Sequence, residues 1–373
     1  MPSKLSYLLP LLFCSLLFSS LRAQDIQRTL NEMRETQNVL VQTQIQERVT
    51  KIVNTPDFVR AANVSLNALV LSNSLTDYLN DVSDLNNPNN SDLGFSLTQR
   101  VEELMEQHVF AGAGKPKKGF PRVMEITRGV LQHPLVSTFT SAIPVVNSLS
   151  SVMDLVTNLA VNDPSIPVEG VNAFRENIIR YVQHYQGLSD ATRKLQGTVM
   201  AVQERTDEMR IMLKSFTVQR VTNLFPDQVD QAAAEPSLRN VLLHIYEKDR
   251  VTDTIGKILI RYQQDKQPGD ISVLTDPRFV YPEYVVNEAR FILDELHAIT
   301  QEYLVAFTEY QHDLEAVLQQ SKDIGDADKI DRKILVLQSK LKKVEDAFLN
   351  AVHVEEVEYR FKALAKTRIS DNR

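Results

Sequence analysis

One apolar stripe of unusual length constrains the fold of this chain more than any other feature. Its side chains recur about every 3.5 residues, which is the spacing of helices that wind around each other in a left-handed coiled coil. The stripe comprises Val171, Phe174, Ile178, Val182, Tyr185, Leu188, Thr192, Leu195, Val199, Val202, Thr206, Met209, Leu213 and Phe216. It predicts one continuous helix over 168–220, several times longer than the mean of about 12 residues in globular proteins. We therefore expect an elongated protein.

Shorter stripes of helical spacing cover most of the remaining chain. They predict helices over 24–54, from 56 to about 82, and over 96–110, 236–264, 282–317 and 330–351. Thr55 and Pro56 are expected to end the first of these, since proline has no backbone N–H. The last two stripes flank a short turn at 323–328, which predicts an antiparallel helical hairpin. Only residues 271–281 could form an extended segment.

The amino-acid composition supports a helical fold. Glycine supplies only 11 of the 373 residues, against a usual share of about 7%. This scarcity disfavours turn-rich β folds and glycine-looped nucleotide-binding folds. We predict an all-α fold, an elongated bundle of long, partly coiled-coil-like helices. We interpret 24–373 as a single domain, with N-terminal helices at 24–121, an uncharged central segment at 122–167 and a long-helix bundle at 168–373.

The first 23 residues have the features of a secretory signal peptide. Lys4 gives a positive start, residues 5–18 form an apolar core, and small residues precede a cleavage site that we predict after Ala23. An uncleaved membrane anchor is the alternative, although the apolar core is short for one. The single cysteine, Cys14, would be removed with this segment. An exported chain without disulfides is typical of a periplasmic or secreted protein of a Gram-negative bacterium.

Composition also excludes several kinds of chemistry. A mature chain without cysteine has no cysteine nucleophile, no cysteine-ligated zinc and no iron–sulfur cluster. The 41 basic and 48 acidic side chains give a net charge of −7. Without a basic patch, we expect no nucleic-acid partner. No motif points to a cofactor or a small-molecule substrate, and we predict neither.

Two carboxylate–histidine pairs have the spacing of metal ligands on one helix face. Asp294 precedes His297 by one helical turn, and Glu309 precedes His312 in the same way. The two pairs lie about 22 Å apart along one predicted helix and therefore cannot share an ion. Both pairs flank the apolar stripe, so we interpret them as solvated surface residues.

Three further patterns resemble known motifs without matching them. Residues 112–116 have part of a phosphate-binding loop, but Pro116 stands where the motif needs serine or threonine, and a basic surface loop is the other interpretation. Ser189 lies in a sequence like a nucleophile elbow that lacks the final glycine, and we interpret it as a helix cap or surface residue. Acidic residues at the turn near 323–331 depart from the order of a calcium-binding loop and indicate helix capping. These residues are Asp323, Asp326, Asp328 and Asp331.

The segment from Gly129 to Asn162 is the most unusual part of the chain, because Asp154 is its only charged residue. Its apolar side chains include Leu135, Phe139, Ile143, Val146, Leu149 and Val152. Its serines, threonines and two prolines make it too polar for a constitutive transmembrane helix. Two interpretations stay open: a central helix buried on most sides by longer partners, or a concealed membrane-active segment that is exposed when the bundle opens.

This layout of long helices around an uncharged segment resembles that of α-helical pore-forming toxins. The resemblance implies membrane insertion through residues 129–162. Our first expectation is an exported, non-enzymatic helical-bundle protein that binds a protein partner or associates with itself. A membrane-active, pore-forming protein is the alternative. An enzyme comes third, since no histidine, aspartate and serine positions converge in the sequence.

Overall fold

The computed structural model of the chain describes residues 8–70, 82, 84–110, 120–131, 142–163, 166–265 and 272–365. All regular secondary structure among these residues is helical, which confirms the all-α prediction. In chain order the helices are α1 (Leu8–Val70), α2 (Leu97–Leu104), α3 (Phe120–Leu131), α4 (Ala142–Asn162), α5 (Val168–Leu224), α6 (Val229–Ala234), α7 (Leu238–His244), α8 (Lys248–Asp265), α9 (Ser272–Thr275), α10 (Glu283–Gln320), α11 (Ala327–Val352) and α12 (Val354–Ala365). A π-helical turn, Met105–Val109, directly follows α2.

The helices divide between two compact units. Unit 1 consists of Met1–Asn63, Arg210–Asp294 and Val354–Arg373, and unit 2 consists of Val64–Met209 and Glu295–His353. Each unit is assembled from stretches that are far apart in sequence. The core of each unit therefore depends on long-range contacts between helices. The interpretation of 24–373 as a single domain stays a prediction.

The long apolar stripe forms α5, as predicted, and this helix runs for 57 residues. Every side chain of the stripe is buried except those of Val182 and Val199, which are half-buried. Gly187 lies where α5 approaches α10 in unit 2: a Cβ atom added to it would lie 2.6 Å from a methyl carbon of Val317. The glycine thus permits a close helix contact without interrupting the helix.

α1 continues through Pro56, so the prediction that a helix ends at Thr55 is wrong. A proline inside a helix costs about 3 kcal/mol, because it removes a hydrogen bond and crowds the preceding turn. Phe58, Val59 and Ala62 follow it, and each is 0% exposed. Burying a large apolar side chain contributes about 1.5–3 kcal/mol. Packing of this stretch within unit 1 therefore offsets the cost of the proline.

The helix predicted over 236–264 is interrupted at residues 245–247, between α7 and α8. Ile245 and Tyr246 in this break are 3% and 1% exposed. Burial in the core of unit 1 raises the pKa of the Tyr246 hydroxyl. Helical periodicity continues across the break because the residues of the break are themselves apolar and buried.

Residues 272–281 do not form the extended segment that the sequence allowed. They form α9 and a 3-10 turn, Pro277–Phe279. Asp276 caps this turn, since its Oδ1 accepts a hydrogen bond from the backbone N–H of Arg278 at 2.9 Å. The local side-chain cap stabilises a helical turn in a stretch whose composition suits a strand.

In unit 2, α10 and α11 form the predicted antiparallel hairpin. Tyr303 of α10 stacks on Phe348 of α11 with ring centroids 4.6 Å apart. Nearer the turn, the Gln338 side chain donates a hydrogen bond to Glu315 at 3.0 Å. α12 was not predicted. It begins after His353, whose φ of 47° lies in the left-handed region and ends α11.

Candidate functional site

The uncharged segment supplied all six candidate site residues. Leu135 and Phe139 lie outside the described residues, and Ile143 lies at the start of α4, where the side chains are not described. Leu149 and Val152 are 0% and 1% exposed in unit 2, and Val146 is half-buried. The structure therefore places three of the six side chains, all of them on α4.

α4 is an amphipathic helix in unit 2. Its buried side chains form one face, spaced three or four residues apart: Val145, Leu149, Val152 and Val156. Apart from Val161, which is 78% exposed, its exposed side chains are polar, and Asp154 is the only charged one among them; the others are Asn147, Ser151, Thr157, Asn158 and Asn162. The expectation of a helix buried on most sides is therefore wrong for residues 145–162. Among the described helices, none combines the length and the hydropathy needed to cross a bilayer.

α3 connects this helix to the rest of unit 2. Arg128 of α3 and Glu102 of α2 form a two-pronged ion pair, with Nη2 and Oε2 2.9 Å apart. The hydroxyl of Thr127, which is fully buried, lies 3.9 Å from the sulfur of Met105. α3 and α4 also contact each other. One exposed ion pair and a small apolar face thus attach α3 to its neighbours.

His184 is a buried titratable group of unit 2 whose pKa is strongly lowered. It projects from α5, is 5% exposed, and its Nδ1 lies 2.5 Å from the hydroxyl of Ser321 at the end of α10. The rings of Phe95 and Tyr185 pack edge-on against it, with centroids 5.8 and 4.9 Å away. Burial in these apolar surroundings lowers the pKa of His184 to about 4.

The arrangement of His184 and Ser321 does not match that of a general base and a nucleophile. The Ser321 hydroxyl donates its proton to the carbonyl oxygen of Val317 at 2.6 Å. Nδ1 of His184 must then carry the proton that the Ser321 oxygen accepts, whereas a base would accept the serine proton. With Ser321 at 2% exposure, a substrate has no access to this oxygen. The pair therefore joins α5 to the tip of the α10–α11 hairpin.

His184 is not among the predicted site residues, although the sequence contains a signal for its burial. Tyr181, His184, Tyr185 and Leu188 follow the i, i+3, i+4, i+7 pattern of a buried helix face. The predicted stripe takes one residue from each helical turn, so it includes Tyr185 and leaves out the adjacent His184. Reading the full width of the face would have placed the histidine inside the core.

The two carboxylate–histidine pairs lie at the surface of α10. The His312 side chain is 86% exposed, and Glu309 forms an ion pair with Lys194 at 3.0 Å. Asp294 is exposed and His297 is half-buried. Across the described part of the chain, no three histidine, cysteine, aspartate or glutamate side chains are grouped as a metal site would require.

The acidic turn between α10 and α11 has a capping role, as expected for Asp326. Its Oδ1 accepts hydrogen bonds from the backbone N–H groups of Asp328 and Lys329 at 3.1 and 3.2 Å. Asp331 pairs with Lys322 at 2.6 Å. These contacts stabilise the first turn of α11 through its free N–H groups and its helix dipole.

The remaining motif-like residues have different outcomes. Ser189 is 5% exposed in the middle of α5, so its interpretation as a cap or surface residue is wrong. It lies beside the long stripe and is buried with it. Residues 112–116, the partial phosphate loop, lie outside the described residues.

A buried polar cluster lies in the core of unit 1. Arg220 is 4% exposed, and its guanidinium lies 5.7 and 6.0 Å from the ring centroids of Phe216 and Tyr281. The Tyr281 hydroxyl lies 2.8 Å from the hydroxyl of Thr55, and burial raises the pKa of Tyr281 to about 12. Burial also raises the pKa of Glu288, and the positive charge of Arg220 partly offsets this increase. The aromatic faces stabilise the buried Arg220 cation, whose Nε and Nη1 atoms have no hydrogen-bond partner among the described residues.

An exposed apolar face on α1 is the surface feature that best fits a binding role. Side chains 27–40 are exposed, apart from a half-buried Asn38. Leu30, Met33 and Leu40 are 47%, 63% and 58% exposed and recur at helical spacing on one face. Val39, which points away from this face, is 65% exposed. Apolar side chains aligned on one face of a solvent-exposed helix are typical of a helix that binds a partner.

Comparisons with known proteins identify no relative. No protein-family model, curated protein or solved structure matches the chain.

Proposed function

We propose that this chain is an exported, non-enzymatic helical protein that acts by binding another protein chain. The observation that carries the proposal is the apolar face of α1, where Leu30, Met33 and Leu40 are about half exposed or more. A helix that lays an apolar face into a groove or against another helix uses anchors at this spacing. The buried His184 and Arg220, which would draw attention as catalytic candidates, are accounted for by packing within the two units.

Export follows from the signal-like residues 1–23, and the mature chain from Gln24 has no cysteine. A periplasmic or secreted location in a Gram-negative bacterium is part of the proposal. The apolar face would then begin only a few residues after the predicted cleavage site, so that cleavage at Ala23 leaves it near the new N-terminus.

Photo-crosslinking tests the proposal directly. A photo-reactive amino acid replaces Met33, which is on the face, or Glu208, which is an exposed charged residue of α5. After irradiation of cells that export the protein, we expect adducts with another polypeptide at position 33 and none at position 208. The mass of the adduct identifies the partner as a second copy or a different protein. Equal adduct formation at both positions, or none at either, would contradict the proposal.

A membrane-active protein is the second candidate, and the nearly uncharged outer face of α4 favours it. If residues 129–162 insert, Val145 and Leu149 would contact lipid while Ser151 and Asn158 would face neighbouring helices or water. Insertion requires α3 and α4 to leave unit 2. The ion pair of Glu102 and Arg128 marks the place where this movement can be blocked.

Liposome leakage separates this candidate from the first. Glu102→Cys and Arg128→Cys, joined by a short bismaleimide, would hold α3 on α2. If the membrane candidate is correct, the protein releases dye from liposomes, the cross-linked variant releases none, and the same variant without cross-linker does. A protein that releases no dye at any lipid composition or pH would remove this candidate and leave the first one intact.

A further inference from the structure

Three stretches of the chain meet at a buried cluster in unit 2: residues 84–96, α5, and the end of α10. Their contact residues are Phe95, His184 and Ser321. We name this set the tip cluster, because Ser321 lies at the tip of the α10–α11 hairpin. The three residues are 8%, 5% and 2% exposed. The imidazole is thus enclosed by parts of the chain that are far apart in sequence.

The imidazole of His184 can bind an added proton at one atom only. The Ser321 hydroxyl donates to the carbonyl oxygen of Val317, so Nδ1 already carries the proton that the Ser321 oxygen accepts. An added proton must bind Nε2, which is buried and has no hydrogen-bond partner among the described residues. Protonation therefore places a positive charge and a new N–H donor where no acceptor is available. A buried charge without a partner is strongly unfavourable.

Charged side chains of residues 84–96, of the hairpin turn and of the adjoining part of α5 are either paired or exposed. Asp92 pairs with Lys333 of α11 at 2.7 Å, and Lys322 pairs with Asp331 at 2.6 Å. The other charged side chains of residues 84–96, 180–188 and 321–326 are exposed: Asp84, Arg180, Asp323 and Asp326. None of these stretches contains a second histidine.

The titratable groups of α2, of the last two turns of α10 and of α5 itself offer no compensating charge either. In α2, Arg100 pairs with Glu103 at 2.7 Å and donates to the Tyr181 hydroxyl at 3.3 Å. In α10, Glu315 accepts a hydrogen bond from Gln338. Burial raises the pKa of both tyrosines that flank His184, Tyr181 and Tyr185, so they stay neutral. Burial alone lowers the pKa of His184.

Residues 84–96 are held in place by few contacts. They contain no α-helix, only a 3-10 turn, Asp84–Asn86. The hairpin holds them through the backbone N–H of Asp326, which donates to the Leu93 carbonyl at 3.0 Å, and through the ion pair of Asp92, which is half-exposed. Half-exposed ion pairs contribute little. α5 and α10, in contrast, are helices of 57 and 38 residues that also contact each other at Gly187.

We propose that protonation of His184 releases residues 84–96 from α5 and from the hairpin tip, while the helices of unit 2 stay folded. The release gives Nε2 access to water and uncovers Phe95 and Leu93, which are buried in the closed form. Unit 2 thus contains an acid-sensitive conformational switch controlled by one imidazole. The switch does not depend on partner binding through α1.

The size of the effect follows from the proton affinities of the two forms. In the closed form the pKa of His184 is about 4, and in the open form the imidazole regains its ordinary value of 6.5. At pH 5 nearly all open molecules bind the proton and few closed ones do. Between about pH 7.5 and pH 5, the ratio of open to closed molecules should therefore rise about 30-fold.

Hydrogen exchange of single amides, measured by NMR and corrected for the intrinsic exchange rate, tests the switch. The probe is the backbone N–H of Asp326, whose acceptor is the Leu93 carbonyl. Its protection should fall about 30-fold between about pH 7.5 and pH 5 and should depend little on added urea, because local opening exposes little surface. The amide of Leu341, in the middle of α11, should exchange with a steep urea dependence, because it requires unfolding of the unit.

Two variants assign the change to the imidazole. His184→Gln can still donate to Ser321, and its Asp326 amide should be equally protected at both pH values. His312→Gln is the matched control, since this side chain is 86% exposed, and it should keep the 30-fold change. In the wild type alone, protection should fall about tenfold per pH unit near pH 5.5, the slope for one proton.

Three results would overturn the switch. The first is an Asp326 amide that exchanges only with the urea dependence of Leu341, since opening would then be global. The second is protection that does not change between the two pH values. The third is a change that His184→Gln retains, because another group would then control the opening.

Discussion

His184 makes the stability of unit 2 depend on pH. Its imidazole is 5% exposed and packs against Phe95 and Tyr185, and burial lowers its pKa from 6.5 to about 4. Between these two values the unfolded chain binds a proton that the folded chain excludes. Stability therefore rises with pH across the window, is complete above about pH 6.5, and is lost as the pH falls toward 4.

The magnitude follows from the pKa difference. Each pKa unit corresponds to about 1.4 kcal/mol, so lowering the pKa from 6.5 to about 4 destabilises the folded form by about 3 kcal/mol at strongly acidic pH. Between about pH 7.5 and pH 5, the expected loss is about 2 kcal/mol. The carboxyl of Asp92, whose pKa the neighbouring Lys333 lowers below 3.8, titrates outside this interval.

Urea unfolding followed by circular dichroism at several pH values measures this loss. In His184→Gln, the amide can still donate to Ser321 but carries no titrating proton, so about 2 kcal/mol of the pH dependence should disappear. His312→Gln is the matched control, because its side chain is 86% exposed, and it should retain the full dependence. If wild type and His184→Gln lose stability in parallel between about pH 7.5 and pH 5, the assignment of the pH dependence to His184 is refuted.

Three further predictions concern packing and capping. Leu296→Ala removes a side chain that is 0% exposed and should cost about 2–5 kcal/mol, whereas His297→Ala, on the flank of the same helix, should cost less than about 0.5 kcal/mol. A larger loss from the histidine change in urea titrations would contradict the surface interpretation. Gly170→Ala would place a Cβ 2.0 Å from a backbone carbonyl oxygen and should destabilise, whereas Gly197→Ala meets open space in the same helix and should raise stability by up to about 1 kcal/mol. Thermal midpoints that move in the same direction for both glycines would refute the close-approach argument. Asp326→Ala removes an N-cap and should lower the free energy of unfolding by about 0.5–2 kcal/mol. If Asp326 acts only as a cap, calorimetric titration of the wild-type protein with calcium should give no heat of binding.

The helical class and the position of α5 were determined by the sequence. Periodicity of the apolar side chains specifies α5 and the hairpin of α10 and α11, because a repeat near 3.5 residues places one face of each helix against a neighbour. The helix cap was also a local feature, because the Asp326 carboxylate accepts hydrogen bonds from N–H groups of the next helical turn only. Such features depend only on residues within a few helical turns of each other, so they can be predicted from the sequence.

Tertiary structure decided the features that depend on residues far apart in the chain. Pro56 stays inside α1 because Phe58 is buried in unit 1, and the periodic stretch is interrupted at residues 245–247, where Ile245 and Tyr246 are buried. The same holds for His184, whose depressed pKa requires Phe95 and Ser321 from two other stretches of the chain. The exposed apolar face of α1 was visible in the sequence only as one more helical stripe. Periodicity shows which side of a helix is apolar, but the three-dimensional packing of the other helices determines whether anything covers that side.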